Sequence, residues 1–165
     1  MDEPLAILLL PCRLEDFELE AHARDLLNIP RVVALEPSPR RTPKFLRASV
    51  PVRQARRLRF PGDPRVIVLY HPQQYPLARA LCARHERAEL WYLRGDPAAL
   101  EAQRGYSREE LIELDELACE RAAGSHLLRT EADPDTMNEP LRVRLRELEI
   151  ISSRPFVPGA RVRVR

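Results

Sequence analysis

The chain has 165 residues and a mass of 19.1 kDa, which is enough for one domain with a sizeable core and too little for two ordinary domains. Its 44% hydrophobic and 32% charged residues are typical of a globular protein, and no apolar run approaches the roughly 20 residues of a transmembrane helix. The formal net charge of +2 is too small to indicate a polyanion partner by itself, and three scattered cysteines predict no disulfide framework and favour a cytoplasmic setting.

The first part of the chain predicts two strands and two helices. Residues 5–10 form a continuous apolar run that Pro11 stops, the pattern of a strand buried on both faces of a parallel sheet. Residues 14–27 carry apolar side chains at helical spacing and predict a surface helix, and residues 31–36 predict a second strand. Ser49 is placed to cap a helix that runs to about residue 60.

The second part continues the alternation. Ser107 and Glu110 form a capping box that opens a helix, and Gly124 lies where its C-terminal cap belongs. The other predicted elements are a third strand at 66–70, a helix at 76–85, a fourth strand at 89–93, a fifth strand at 125–129, a loop at 133–139, a short helix at 141–148 and a further strand at 149–152.

Alternating strands and helices predict an α/β fold: a single Rossmann-like domain with a mostly parallel sheet and helices on both faces. We assign residues 1–153 to this domain and residues 154–165 to a C-terminal tail or linker rich in proline and arginine. Because ligands of such sheets bind at the carboxyl ends of the strands, functional residues are expected in the loops that follow the strands.

The loop after the third strand carries His71, Gln73 and Gln74. A histidine can act as a general base at neutral pH, and amides can hold hydroxyl groups. His71 is therefore a candidate catalytic residue, and the two glutamines are candidate substrate contacts. The alternative is a loop histidine that forms a cap or hydrogen-bonds the backbone.

The loop after the fourth strand carries Arg94 and Asp96, with Gly95 between them permitting close backbone approach. The two charges can grip a polar ligand, so Arg94 is a candidate substrate contact and Asp96 a candidate catalytic residue. The alternative is a salt-bridged turn, because exposed ion pairs are common.

Cys12 and Arg13 follow the first strand and Glu36 follows the second, which makes all three candidate substrate contacts by position. A thiolate beside an arginine handles phosphate well, but no arginine stands five residues after Cys12 and no glycine cradle is present. A buried structural cysteine is the preferred interpretation of Cys12.

Other site classes lack their signatures. No metal site is predicted, because Cys82 and His85 lie one helical turn apart without a second pair to complete a zinc set. Residues 40–59 hold eight basic residues and no acid, but aromatic interleaving is thin, which favours a solvated arginine face over a nucleic-acid platform. Dinucleotide-binding and P-loop glycine motifs are absent from the sequence.

Taken together, residues 65–81, 88–96 and 114–123 resemble the N-terminal, acceptor-side half of GT-B-type glycosyltransferases. In that family a strand ending in a polar residue and proline, a helix, a strand ending near an aspartate, and a helix with a Glu-Arg-Ala-like segment come in this order. Residues 154–159 are similar to the stretch that leads into the family's second domain. The glycine-rich loop that many members carry after the first strand is replaced here by Pro11, Cys12 and Arg13.

The resemblance implies an acceptor-binding domain without its own nucleotide-sugar domain. It puts acceptor contacts near His71, Gln73, Arg94 and Asp96, with His71 or Asp96 as the general base. No cofactor is expected within this chain, and a nucleotide sugar would come from a partner domain or subunit, with a small molecule or glycan as acceptor. The alternative is a non-catalytic Rossmann-like binding or protein-interaction module, and whether the chain is an enzyme stays open.

Overall fold

The computed structural model describes residues 2–13, 26, 28–38, 42–100, 105–129 and 134–151, with the backbone alone for 134–138. Five strands are described: β1 (Pro4–Leu9), β2 (Val32–Leu35), β3 (Asp63–Leu69), β4 (Glu89–Arg94) and β5 (His126–Arg129). Four α-helices are described: α1 (Ser49–Arg57), α2 (Tyr75–Arg84), α3 (Arg108–Ala123) and α4 (Pro134–Glu147). Three short 3-10 helices lie at Lys44–Leu46, Pro72–Gln74 and Pro97–Ala99.

The strands form one sheet in the order β2-β1-β3-β4-β5, and every neighbouring pair is parallel. This confirms the predicted α/β, Rossmann-like class with a parallel sheet. Because the strands are parallel, the loops that follow them all lie at one edge of the sheet, which we call the carboxyl edge. None of the described helices is long and apolar enough to cross a membrane.

Both faces of the sheet are buried, as the near-continuous apolar strands require. One face packs against α1, α2 and α3, and this core is built from alternate strand residues such as Ile7, Ile67 and Tyr92 with Leu77 and Leu81 of α2. The other face, which includes Leu8, Val68 and Trp91, packs against Leu26 and against Leu141 and Leu145 of α4. The sheet is therefore covered on both sides by the described residues.

Most predicted elements are present, with shifted ends. The predicted capping box of α3 is confirmed, because Ser107 accepts a hydrogen bond from the Glu110 N–H and Glu110 accepts one from the Ser107 N–H. The prediction that Ser49 caps α1 is wrong: Ala48 is at the cap and its backbone is already helical. The Ser49 hydroxyl instead donates to the Leu46 carbonyl. The predicted helix at 14–27 and the tail at 154–165 lie outside the described residues, apart from residue 26.

The predicted loop at 133–139 is wrong over its described part, because α4 begins at Pro134 and runs through it. Proline fits the first turn of a helix, where its missing N–H has no partner to lose. Pro140 lies inside the helix, and burial of Leu141 and Leu145 against the sheet favours the helix over the local turn signals. Tertiary packing thus decides this segment.

The predicted strand at 149–152 is wrong over its described part. Glu149 has a left-handed backbone (φ 58°), and its N–H donates to Arg146 while the Ile150 N–H donates to Leu145. These two bonds form a Schellman cap, which satisfies the last carbonyls of α4. The buried contact of Ile150 with the same core as Leu145 completes the motif, so the apolar residues that suggested a strand end a helix.

Candidate ligand site at the carboxyl edge

The strand order creates a switch point between β1 and β3. The chain leaves β1 towards β2 on one side of the sheet and leaves β3 towards β4 on the other, so the loops after these two neighbouring strands diverge. Such a divergence opens a crevice at the carboxyl edge, and ligands of open α/β sheets bind there. Cys12 and Arg13 after β1 and His71 and Gln73 after β3 flank this position.

His71 forms the N-cap of the 3-10 helix Pro72–Gln74. Its Nδ1 accepts a hydrogen bond from the Gln73 backbone N–H at 3.2 Å. A nitrogen that accepts carries no proton, so the neutral ring is protonated at Nε2 and presents a donor there. A base role for His71 would require Nδ1 to release Gln73, and the capping role named as the alternative accounts for its position.

Gln74 ties the two loops of the switch point together. Its side chain is buried, and Nε2 donates to the Leu10 carbonyl at the end of β1, with a separation of 3.2 Å. This amide is thus used by the fold itself, and its predicted substrate contact stays a prediction that would require the Leu10 bond to break.

Gln73 differs from its neighbour. Its Oε1 is buried, and no hydrogen-bond donor reaches it from the described part of the chain. A buried acceptor without a donor costs roughly 1–3 kcal/mol, because the water it loses on folding is not replaced. Gln73 is therefore a predicted contact residue at this edge whose buried oxygen the described residues leave without a donor.

The remaining contacts predicted for the β1 and β2 loops are Cys12, Arg13 and Glu36. Cys12 is half-buried, whereas Arg13 and Glu36 are exposed. Cys12, Glu36 and His71 each take part in interactions with other groups, so none of the three side chains is idle. Because β2 lies next to β1 in a parallel sheet, Cys12, Arg13 and Glu36 lie at the same edge of the sheet as the switch point.

The loop after β4 is organised by a residue that the sequence analysis did not name, Asp115 of α3. Arg94 Nε donates to both carboxylate oxygens of Asp115, at 3.2 Å to Oδ1 and 3.1 Å to Oδ2. Arg94 Nη2 donates to Oδ2 at 2.7 Å. The Tyr92 hydroxyl donates to Oδ1 at 2.6 Å. Asp115 is almost fully buried, so this network fixes the end of β4 against the middle of α3.

The same network shifts the ionisation of its members. Burial raises the pKa of Tyr92 well above its ordinary value, and the hydrogen bond to Asp115 raises it further. The hydrogen bond to Asp115 also raises the pKa of Arg94. The sequence did hold a signal for Asp115: it lies four residues after Leu111 on the face that buries Ala118 and Ala122, where a carboxylate requires a partner.

Asp96 lies beyond this network and is exposed. Its Oδ1 accepts a hydrogen bond from the Ala98 N–H at 2.9 Å and so caps the 3-10 helix Pro97–Ala99. The structure thus separates the two charges of the β4 loop: Arg94 is held by Asp115, and Asp96 forms a cap. Their roles in substrate binding and catalysis stay predictions.

A groove of about 590 Å³ lies elsewhere, on the outer surface of the three helices that cover one face of the sheet. Helix α2 forms its floor, and α1 and α3 with the turns before them form its walls. Most of the lining is apolar or small, as with Pro51, Val52, Ala80, Ala83 and Leu117. It includes none of the residues predicted for the carboxyl edge.

The two walls of the groove are joined at one end by Arg47. Its guanidinium lies over the Tyr106 ring, 4.2 Å from the centroid, and Nη1 donates to Glu110 at 2.7 Å. It also hydrogen-bonds the Gly105 carbonyl. These contacts fix the turn before α1 to the start of α3, so the spacing between the walls is set by the fold.

Comparison with protein-family models, with curated proteins and with solved structures finds no match for this chain. Among the described residues, no group of three or more His, Cys, Asp or Glu side chains is placed to hold a metal ion. The likeness to acceptor-side glycosyltransferase domains therefore stays a prediction from the sequence.

Proposed function

We propose that this protein is a Rossmann-like binding domain that takes a small polyhydroxylated ligand, such as a sugar, at the carboxyl edge between β1 and β3. In the glycosyltransferase interpretation this ligand is the acceptor. The observation that carries the proposal is the buried Oε1 of Gln73, which lacks a donor from the described residues and follows β3 at the switch point.

A hydroxyl-bearing ligand suits this position chemically. The Gln73 oxygen requires a donor, and because it is buried in the free protein, a ligand hydroxyl supplies one when the Gln73 side chain rotates towards the crevice. The hydroxyl oxygen then accepts from a neighbouring N–H or guanidinium. Because the free protein carries the cost of the unpaired acceptor, a ligand that satisfies it recovers part of that cost on binding. An apolar ligand would leave the Gln73 oxygen unpaired and gain nothing from it.

Catalysis is a separate part of the proposal. Transfer of a glycosyl group to a bound acceptor would need a nucleotide sugar held by a partner domain and a base to remove the acceptor proton. His71 is the candidate base nearest the switch point, and it could act only after its ring gives up the hydrogen bond from Gln73. We therefore propose binding as the function of this chain alone, with transfer dependent on a partner.

Titration with methyl glycosides, followed by backbone amide shifts in NMR spectra, tests this proposal. We expect saturable shifts concentrated in residues 10–13 and 70–74, with weak affinity in the millimolar range because few contacts form. Gln73→Met, which keeps the side-chain length and removes the acceptor, should weaken binding about tenfold, as expected for roughly 1.4 kcal/mol.

Gln54→Met is the matched control, because Gln54 is a half-buried glutamine on α1, away from the carboxyl edge. It should leave glycoside binding unchanged. Absence of saturable shifts at the two loops, or equal losses in the two variants, would contradict a site at the switch point.

A further inference from the structure

Exposed apolar side chains of this protein are concentrated around the groove between α1 and α3. Four large apolar residues are strongly exposed among those described: Phe45 (83%), Val52 (42%), Leu117 (44%) and Val143 (42%). Val52 and Leu117 line opposite walls of the groove, and Phe45 lies two residues before the lining residue Arg47. Clustered exposed apolar surface of this kind marks interaction sites more often than scattered single residues do.

The α1 wall of the groove is basic. Residues 42–62 contain no acid, and α1 carries the exposed residues Arg53, Arg56 and Arg57. Arg56 is one helical turn beyond Val52, so it extends the same side of the helix. None of these three arginines forms an ion pair with another described residue.

The α3 wall is mainly acidic. Glu113 lies one turn before Leu117 and Glu120 one turn after it, so both glutamates flank the exposed leucine. Glu109 and Glu116 add to the exposed acidic surface, while the basic residues of α3, Arg108 and Arg121, stand near its two ends. Within the described residues Glu113 forms no ion pair.

We propose that this groove face is the interface of a homodimer, in which α1 of each copy packs against α3 of the other. The three helices follow parallel strands and therefore run in nearly the same direction. A two-fold axis parallel to them and centred on α2 reverses their order in the partner, so each basic α1 faces an acidic α3. The two walls of the groove are thus complementary to each other.

The same symmetry accounts for the exposed apolar residues. Val52 of each copy faces the partner's Leu117, and the side chains of Phe45 extend the apolar contact at one end. Ala80, Ala83 and the exposed Arg79 lie on α2 at the floor of the groove, so the contacts of the dimer form between the walls, and the two floors enclose a space at the axis. An unrelated partner would have to match a basic and an acidic wall at once, which a second copy does without further adaptation.

Analytical ultracentrifugation across the micromolar range tests whether the protein dimerises through this face. The wild-type protein should show a reversible monomer–dimer equilibrium. Val52→Glu should weaken dimerisation about tenfold or more, because it removes an apolar contact and places a carboxylate against the acidic α3. Val143→Glu is the matched control: Val143 has the same exposure but lies on α4, which covers the opposite face of the sheet, and dimerisation should be unchanged.

Charge reversal gives a sharper test of the two-fold arrangement. Arg56 lies one turn after Val52, and Glu120 lies one turn after the facing Leu117. Arg56→Glu and Glu120→Arg should therefore each weaken the homodimer, because each change places like charges opposite one another twice. When the two single variants are mixed, a heterodimer should form more strongly than either homodimer, since both helix pairs then have opposite charges. Loss of folding in one variant cannot produce this recovery.

A protein that stays monomeric at high micromolar concentration and low salt would overturn the proposal, as would equal weakening by Val52→Glu and Val143→Glu. Failure of the mixed variants to associate more strongly than either alone would also overturn it. The ligand site at the carboxyl edge does not depend on these outcomes, because it uses none of the groove residues.

Discussion

The loops that follow β3 and β4 have similar patterns of polar residues in the sequence, but these residues are hydrogen-bonded differently in the structure. Each begins directly after a buried strand, contains a polar residue that caps a 3-10 helix, and offers a second polar group beside it. Beside the β4 loop the second group is Arg94, the last residue of β4, whose Nε and Nη2 donate to Asp115. In the β3 loop Gln73 keeps a buried oxygen for which no described residue supplies a donor.

The difference comes from what lies beneath each loop. Below the β4 loop, α3 presents a carboxylate from its buried face, and a buried carboxylate is stable only when strong donors reach it. Arg94 and Tyr92 therefore have a structural role, because their hydrogen bonds to Asp115 hold β4 against α3. The short helix Pro72–Gln74 also packs against α3, but the described residues bring Gln73 no such partner there. Position at the carboxyl edge alone thus does not make a polar residue a ligand contact.

The largest expected effect of a substitution follows from breaking the β4 network. Asp115→Ala should lower the free energy of unfolding by about 3 kcal/mol, because Arg94 and the buried Tyr92 hydroxyl both lose their acceptor. Chemical denaturation measures it. The control is Asp96→Ala in the same loop, which should lower the free energy of unfolding by about 1 kcal/mol or less, since it removes an exposed cap. Similar losses in the two variants would show that the network does not hold β4 to α3.

A second expected effect concerns the alkaline stability of the same network. The pKa of Tyr92 is raised in the folded protein, so above pH 10 the unfolded chain releases a proton that the folded chain keeps. Stability should therefore be independent of this group below pH 10 and fall by up to about 1.4 kcal/mol per pH unit above it.

Tyr92→Phe isolates this contribution, because other groups with raised pKa values, such as Tyr106 and Cys119, remain in the variant. The stability difference between wild-type protein and variant should be constant at neutral pH and shift in favour of the variant above pH 10. Parallel pH profiles throughout would mean that neither burial nor the hydrogen bond to Asp115 raises the pKa of Tyr92.

Much of the fold follows from the sequence, because continuous apolar runs such as residues 5–10, ended by a proline, are typical of strands buried on both faces. The capping box at Ser107 was equally readable, since its two hydrogen bonds are local. Local signals misled where tertiary packing prevailed, as at residues 134–139, where burial of Leu141 and Leu145 extends a helix through turn-forming residues. The apolar residues Ile150 and Ile151 suit a short strand, but they also suit the end of a helix. The left-handed backbone of Glu149 allows Ile150 to end α4 instead.

The candidate site was predictable in position and only partly in chemistry. Strand-end loops are readable from the alternation of elements, which located His71, Gln73, Arg94 and Asp96 at one edge. The polar atoms that form hydrogen bonds within the protein are decided by contacts between residues distant in sequence, such as Arg94 with Asp115. Such pairing follows from the packing of α3 on β4 and not from local spacing.

The smallest expected effect is the change in the free energy of unfolding when either glutamine of the β3 loop is replaced. Its sign should differ between the two glutamines. Gln74→Met should lower the free energy of unfolding by about 1 kcal/mol, because the Leu10 carbonyl loses its donor. Gln73→Met should raise it by about 1 kcal/mol, because it replaces a buried acceptor that lacks a donor with a thioether of similar length. Denaturation of the two variants under the same conditions measures both. A destabilised Gln73→Met protein would show that the Gln73 amide already has a partner in the folded chain, and the carboxyl edge would then lose the unused acceptor that distinguishes the β3 loop from the β4 loop.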